Sequence, residues 1–275
     1  MELQPRFRAR TLLLGCLGIV LVAAIPIGLF PGAQLATMAL LYLVMFVFAW
    51  WLGRRGGVQM LRLDHPVPSP PGILRTLAIV PALTAVNFGG TWLLYYPLSL
   101  LRPELVRQWL HRTETLIPDP ETRAGTVLLW VTVIVLAPVT EELVFRGLLL
   151  HRWCRKWGRT WGILLTTALF AVLHASPLGI FLLALGLTGI YLRTGSLRLT
   201  MVAHGLNNLL AFVAGPWVYA QNGGSGDALT TFQSALPVSL LLLIGGALTL
   251  WLLRDRILPA AGTPLPYDRN FATRN

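Results

Sequence analysis

Residues 127–150 read VLLWVTVIVLAPVTEELVFRGLLL. A helix needs about 20 mostly apolar residues to cross the roughly 30 Å hydrocarbon core of a bilayer. This stretch is long enough, yet it carries Glu141, Glu142 and Arg146. An ionised side chain near the membrane centre costs about 2.5–3.5 kcal/mol on the lenient insertion scales. Three of them within six residues must be paired, hydrated or used. The surroundings exclude a soluble domain. Of the 275 residues, 55% are hydrophobic and 12% are charged, and mean hydropathy is +0.66. Soluble domains carry about 25% charged residues.

Working outward, apolar runs of near-spanning length fall at about 12–30, 34–52, 73–100, 127–150, 161–175, 178–192, 199–220 and 235–253. The expected fold is therefore all-α: a polytopic membrane protein with about eight transmembrane helices in a single membrane domain, residues 1–257, followed by a polar, Pro-containing tail, 258–275, expected to be disordered. Pro177 has no amide proton to donate, so the fifth and sixth runs are expected to turn rather than fuse. The third run is over-long and carries Pro81 and Pro97, which predicts a kink. Residues 102–116 mix charge with Leu105, Trp109 and Leu116; an amphipathic helix on the outer surface and a solvated loop both fit. Leu13-Leu14-Gly15-Cys16 has the look of a lipoprotein cleavage site, but only Thr11–Leu14 separate Cys16 from Arg10, and an uncleaved anchor is expected. Cys16 and Cys154 lie in unlike surroundings, so no disulfide or thiolate metal site is expected.

The net charge of +11 has a membrane explanation. With the N-terminus inside and eight spans, 18 of the 22 basic residues fall on the inner side. Cytoplasmic loops are rich in Lys and Arg, so both termini are expected in the cytoplasm, and nucleic acid is not an expected partner. The cytoplasmic membrane of a bacterium is the expected location.

Three polar clusters interrupt the later spans. Glu142 and Arg146 are four apart, the spacing of an ion pair on one helix face. Glu141 points about 100° away and has no partner nearby in sequence. Phe170 and His174 are likewise four apart, as are His204 and Asn208. Glu142 lies sixteen residues before Gly158 and His174 sixteen after it, so an antiparallel hairpin turning there sets them at similar depth. Together the clusters supply a carboxylate, two imidazoles and an amide, the inventory for activating a water and stabilising an oxyanion. Glu141, His174 and His204 would also furnish three ligands of a zinc site with one open position, although no His-Glu-x-x-His pair is present. His65, His111 and His151 are expected to be solvated. Tyr95 and Tyr96 fit an interfacial belt, and Asn87 a helix-to-helix hydrogen bond.

Glu141-Glu142-x-x-x-Arg146, Phe170-x-x-x-His174 and His204-x-x-x-Asn208, in that order, resemble the three motifs of the CPBP family (CAAX protease and bacteriocin-processing, or Abi). Its members are intramembrane proteases and include prokaryotic relatives of the type II CAAX prenyl endopeptidase. The resemblance covers about residues 125–214. It implies that Glu141 and His174 hold and deprotonate the attacking water, and that His204 and Asn208 polarise the scissile carbonyl. It also implies that Glu142 and Arg146 orient their helix and tune Glu141, while Phe170 packs behind His174. A glutamate-dependent mechanism without a cofactor is favoured over the zinc version. The implied substrate is a membrane-embedded or lipidated peptide. The competing readings are a non-catalytic immunity or scaffold protein that keeps the polar cluster, and a transporter using Glu141 and His174 as a proton relay.

Overall fold

The computed structural model describes residues 7–29, 31–64, 69–116, 122–221, 227–260 and 262–272. Among them there is no strand; one antiparallel bridge joins Asp64 to Ser196. The helices are α1 (Ala9–Leu29), α2 (Gln34–Arg55), α3 (Pro70–Leu77), α4 (Val80–Leu101), α5 (Pro103–Leu116), α6 (Arg123–Trp157), α7 (Arg159–Val172), α8 (Pro177–Thr194), α9 (Leu197–Gln221), α10 (Ala228–Ser234), α11 (Leu236–Leu252), α12 (Arg254–Ile257) and α13 (Pro266–Ala272).

Each of the eight apolar runs becomes helix, and the protein is an all-α polytopic membrane protein. By length and composition, six stretches among the described residues can cross a membrane, or seven if α10 and α11, bent by 46°, count as one span. With that pair counted, the fifth run accounts for the difference from eight. As α7 it has 14 residues, about 21 Å at 1.5 Å per residue, too short for the hydrocarbon core. It leans instead on protein, burying Gly162, Thr166, Thr167, Phe170 and Ala171. The outermost helices keep large apolar side chains bare, among them Leu17 and Leu21 of α1 and Leu241, Ile244 and Leu248 of α11. In water such faces would be an aggregation liability; on spanning helices they meet lipid.

Prolines place the breaks. The third run divides at Ala78-Ile79, and Pro81 sits in the first turn of α4, where its missing amide costs nothing. Pro177 opens α8 in the same way after the turn at 173–176. The α6–α7 turn falls at Gly158, whose φ of +82° suits a residue without a Cβ. Residues 102–116 are helical, with Val106 and Leu110 fully buried, so the solvated-loop alternative falls.

Inside, α4 is flanked by α8 and α11 through small residues, the usual way for membrane helices to approach. A Cβ at Gly179 of α8 would lie 2.2 Å from the Asn87 carbonyl oxygen of α4. Asn87, on the same contact, has a buried Oδ1 without a hydrogen-bond partner among the described residues, contrary to the expected helix-to-helix bond. Helix α6 packs against α2, α7 and α9 and is not uniformly wound. Two π-helical stretches, Thr132–Leu136 and Leu143–Leu149, flank the α-helical Ala137–Glu142. Such wide turns recur at functional sites, because they free backbone groups and rotate side chains off the regular helix phase.

The C-terminal tail also departs from expectation. Residues 258–260 and 262–272 are placed, and α13 docks on the protein. Tyr267 is buried and its hydroxyl accepts from the Gln59 amide at 3.2 Å, while Asn270 donates to the Gly195 carbonyl at 3.1 Å. His151, expected in solvent, is buried beneath it, with Nε2 3.0 Å from the Tyr191 hydroxyl. The cause is the tail itself, which covers that end of α6. His65 lies outside the described residues, as do 65–68 of the proline-rich linker and the glycine-rich loop at 222–226.

Candidate active site

Glu142 and Arg146 meet as their spacing predicts. Arg146 Nη1 donates to Glu142 Oε1 at 2.9 Å, both side chains being fully buried. Burying two charges is tolerable only if the remaining donors are also satisfied. Arg146 Nη2 donates to the Ala184 carbonyl at 3.0 Å, Nε lies 3.4 Å from the Thr188 hydroxyl, and the guanidinium sits 4.6 Å over the Phe170 ring. The same Glu142 oxygen accepts from His204 Nδ1 at 2.8 Å. A carboxylate only accepts, so this bond places a proton on Nδ1 and turns Nε2 outward. The buried pair therefore orients His204 of α9, a contact between distant helices that the motif spacing does not show.

Glu141 points elsewhere, as the helical phase predicts. Its Oε1 accepts from the Tyr42 hydroxyl of α2 at 3.1 Å, and its Oε2 lies 3.8 Å from His204 Nε2. No hydrogen bond or ion pair joins Glu141 directly to His174 among the described residues. The connection between them is indirect, through His204 and the ring of Phe170. Phe170 stands 4.5 Å from the His174 ring and 5.8 Å from that of His204, centroid to centroid, and 5.0 Å from Phe145. Phe170 thus packs against both histidines and the arginine.

His174 lies just past the end of α7, not within it. Its Nδ1 sits 2.7 Å from the Phe170 carbonyl oxygen. A carbonyl only accepts, so Nδ1 donates in this bond and Nε2 is the ring nitrogen not engaged by the protein. The next residue is held by two donors: the Ala175 carbonyl accepts from the Tyr95 hydroxyl at 2.8 Å and from Trp109 Nε1 at 2.7 Å. The two rings stack at 3.9 Å. Tyr95, expected in an interfacial belt, instead helps α5 clamp the loop that carries His174. Arg107 ties α5 to Asp227, and its guanidinium holds that carboxyl below the usual carboxylate range.

Asn208 follows His204 by one turn of α9. Its Nδ2 donates to the Val133 carbonyl at 3.0 Å. That carbonyl is free for a sequence reason. Ala137 bonds five residues back to Thr132, and Pro138 has no amide to offer Val133. The Asn208 side-chain oxygen accepts from Asn207 Nδ2 at 3.2 Å, and Asn207 Oδ1 accepts from the Thr84 hydroxyl of α4 at 2.9 Å. One N–H of Asn208 is thereby engaged, and the other has no partner among the described residues. The close approach of α9 to α6 needs Gly205, where a Cβ would lie 2.4 Å from the Ile134 carbonyl oxygen. Gly205→Ala should destabilise the protein by about 1–3 kcal/mol, the range for overpacking, seen as a lower thermal midpoint in detergent.

The structure thus gathers the sequence-predicted Glu141, Glu142, Arg146, Phe170, His174, His204 and Asn208 into one region between α6, α7, the α7–α8 loop and α9. Tyr42, Thr84 and Thr188 escaped sequence reasoning, since a lone polar residue on an apolar helix carries no periodic signal, and Trp109 was legible only as part of the amphipathic segment 102–116. As placed, Glu141, His174 and His204 do not form a metal-binding group, and no three His, Cys, Asp or Glu side chains gather in one among the described residues.

Fold and site together define a polytopic all-α membrane protein with a buried carboxylate–imidazole centre. Residues 123–210 match the family model described as type II CAAX prenyl endopeptidase Rce1-like. The interval runs from the first residue of α6 into α9 and contains every residue of the centre except those contributed by α2, α4 and α5. Over this segment, about a third of the chain, the protein is similar to the CAAX protease family. No curated protein and no solved structure matches the chain.

Proposed function

We propose that this protein is an intramembrane endopeptidase that hydrolyses peptide bonds of membrane-embedded or lipidated substrates. One observation carries the reading: Glu141 of α6 lies 3.8 Å from His204 of α9, and Phe170 packs against the rings of both His204 and His174. In the proposed reaction a water is held by the Glu141 carboxylate and His174 Nε2. Glu141 takes its proton as the water oxygen bonds to the substrate carbonyl carbon. The oxyanion is met by the second N–H of Asn208 and by the His204 ring, which the Glu142 carboxylate holds at Nδ1. Collapse breaks the C–N bond, and Glu141 returns the proton to the leaving amine.

The chemistry is proposed to need no metal, because the three candidate donors do not cluster as ligands. Hydrolysis by purified protein should therefore survive exhaustive chelation unchanged, as measured by cleavage of a reporter peptide in proteoliposomes. Loss on chelation with recovery on added Zn²⁺ would restore the zinc reading.

The arginine-rich inner segments support a cytoplasmic location for both termini, and a bacterial cytoplasmic membrane is proposed as the site of action. Anchored membrane proteins or peptide precursors would then be the substrates. Comparative membrane proteomics of wild-type cells and a Glu141→Gln strain should reveal a fragment that disappears. A scaffold would show no such fragment and would lose its phenotype only when surface loops are altered.

The α5 clamp gives a milder test. Trp109→Phe removes one of two hydrogen bonds on the Ala175 carbonyl, worth about 0.5–1.5 kcal/mol. Cleavage should slow by up to about tenfold if the full value is lost at the transition state, with an unchanged pH profile, because His174 is displaced rather than chemically altered.

A further inference from the structure

The last turns of α6 separate their basic residues by helical face. His151 and Arg155, one turn apart, face the docked C-terminal segment, where Tyr267 packs 5.9 Å from the His151 ring and Asp268 pairs with Arg155. Arg152 and Lys156 face the other way. With Trp153 and Trp157 of α6, and with Arg8 and Arg10 at the start of α1, they line a cavity of about 510 Å³. Among the described residues no carboxylate lies within ion-pair distance of any of these four cations. Lys156 Nζ lies 4.6 Å over the Trp157 ring, which stands 5.3 Å from Trp153.

The inner-side excess of Lys and Arg explains their number but not this convergence, because that bias acts on loop charge and not on side-chain placement. Like charges from two separate elements repel unless an anion joins them. Guanidinium groups take phosphate bidentately and an ammonium takes it as a point charge. Two features indicate where such a phosphate would come from. Tryptophans favour the headgroup level of a membrane. The cavity also reaches Leu13, whose face of α1 continues as exposed Leu17 and Leu21, an apolar track for acyl chains.

We propose that this cavity binds the phosphate of an anionic phospholipid headgroup. Purified full-length protein in neutral detergent would be melted with added short-chain phosphatidylglycerol, short-chain phosphatidylcholine or inorganic phosphate. Phosphatidylglycerol should raise the thermal midpoint at concentrations at least tenfold below those at which phosphatidylcholine acts. Arg152→Gln with Lys156→Gln should weaken that response tenfold or more, while Arg54→Gln with Arg55→Gln, an equal charge change at the end of α2, should leave it intact. Should the first pair not fold, Lys156→Gln alone, read by native mass spectrometry of retained lipid, gives the same comparison. Equal responses to the two lipids, or equal losses in the two variant pairs, would overturn the proposal. Full protection by inorganic phosphate would assign the site to a soluble anion and overturn its assignment to lipid.

Discussion

Glu141→Gln should reduce peptide hydrolysis by about 10²–10⁴-fold, the usual contribution of a positioned general base. The substitution keeps the shape of the side chain, and its amide oxygen can still accept from Tyr42, which lies 3.1 Å from Oε1. It removes the ability to take a proton. The thermal midpoint should therefore stay close to that of the wild type while single-turnover cleavage in proteoliposomes collapses. Glu141→Asp keeps the carboxylate one methylene further back, so it should retain more activity than the glutamine variant. Wild-type turnover by Glu141→Gln would remove this residue from the chemistry and return the cluster to a structural role.

Arg146→Ala should cost about 3–5 kcal/mol of stability, the penalty for stranding one member of a buried ion pair. Glu142 would be left without its arginine in a fully buried position, and Phe170 would lose the guanidinium 4.6 Å above it. Reversible unfolding in mixed micelles measures the loss. Removing both charges, as Glu142→Gln with Arg146→Met, should recover much of that stability, because no unpaired charge stays inside. It should not recover cleavage, since His204 Nδ1 would no longer face a carboxylate, its partner at 2.8 Å in the native protein. Stability without activity in the double variant would separate the packing role of the pair from its role in orienting His204. If the single and double variants were equally unstable, the pair would be holding the helices by shape rather than by charge.

Legibility varied along the chain for physical reasons. The spans were readable because a run of apolar residues can satisfy its backbone in lipid only as a helix. The breaks at Pro81 and Pro177 were readable because the ring removes a donor wherever it falls. The pairing of Glu142 with Arg146 followed from a four-residue spacing on one element. The α6–α7 hairpin placed Glu142 and His174 at similar depth from counting alone, but counting could not show that Phe170 stands between His174 and His204. Nor could it show the length of α7, since apolar content does not say whether lipid or protein covers a helix.

Composition and local spacing by themselves determined that this protein is an all-helical membrane protein and named its polar residues, because hydropathy, proline and helical phase act over a few neighbouring residues. Only the tertiary structure decided which helices those residues serve. Tyr42 reaches Glu141 across 99 positions, His204 reaches Glu142 across 62, and Tyr267 folds back over His151. Contacts of that range depend on where whole helices pack, and packing is settled by the shapes of surfaces that no single segment contains.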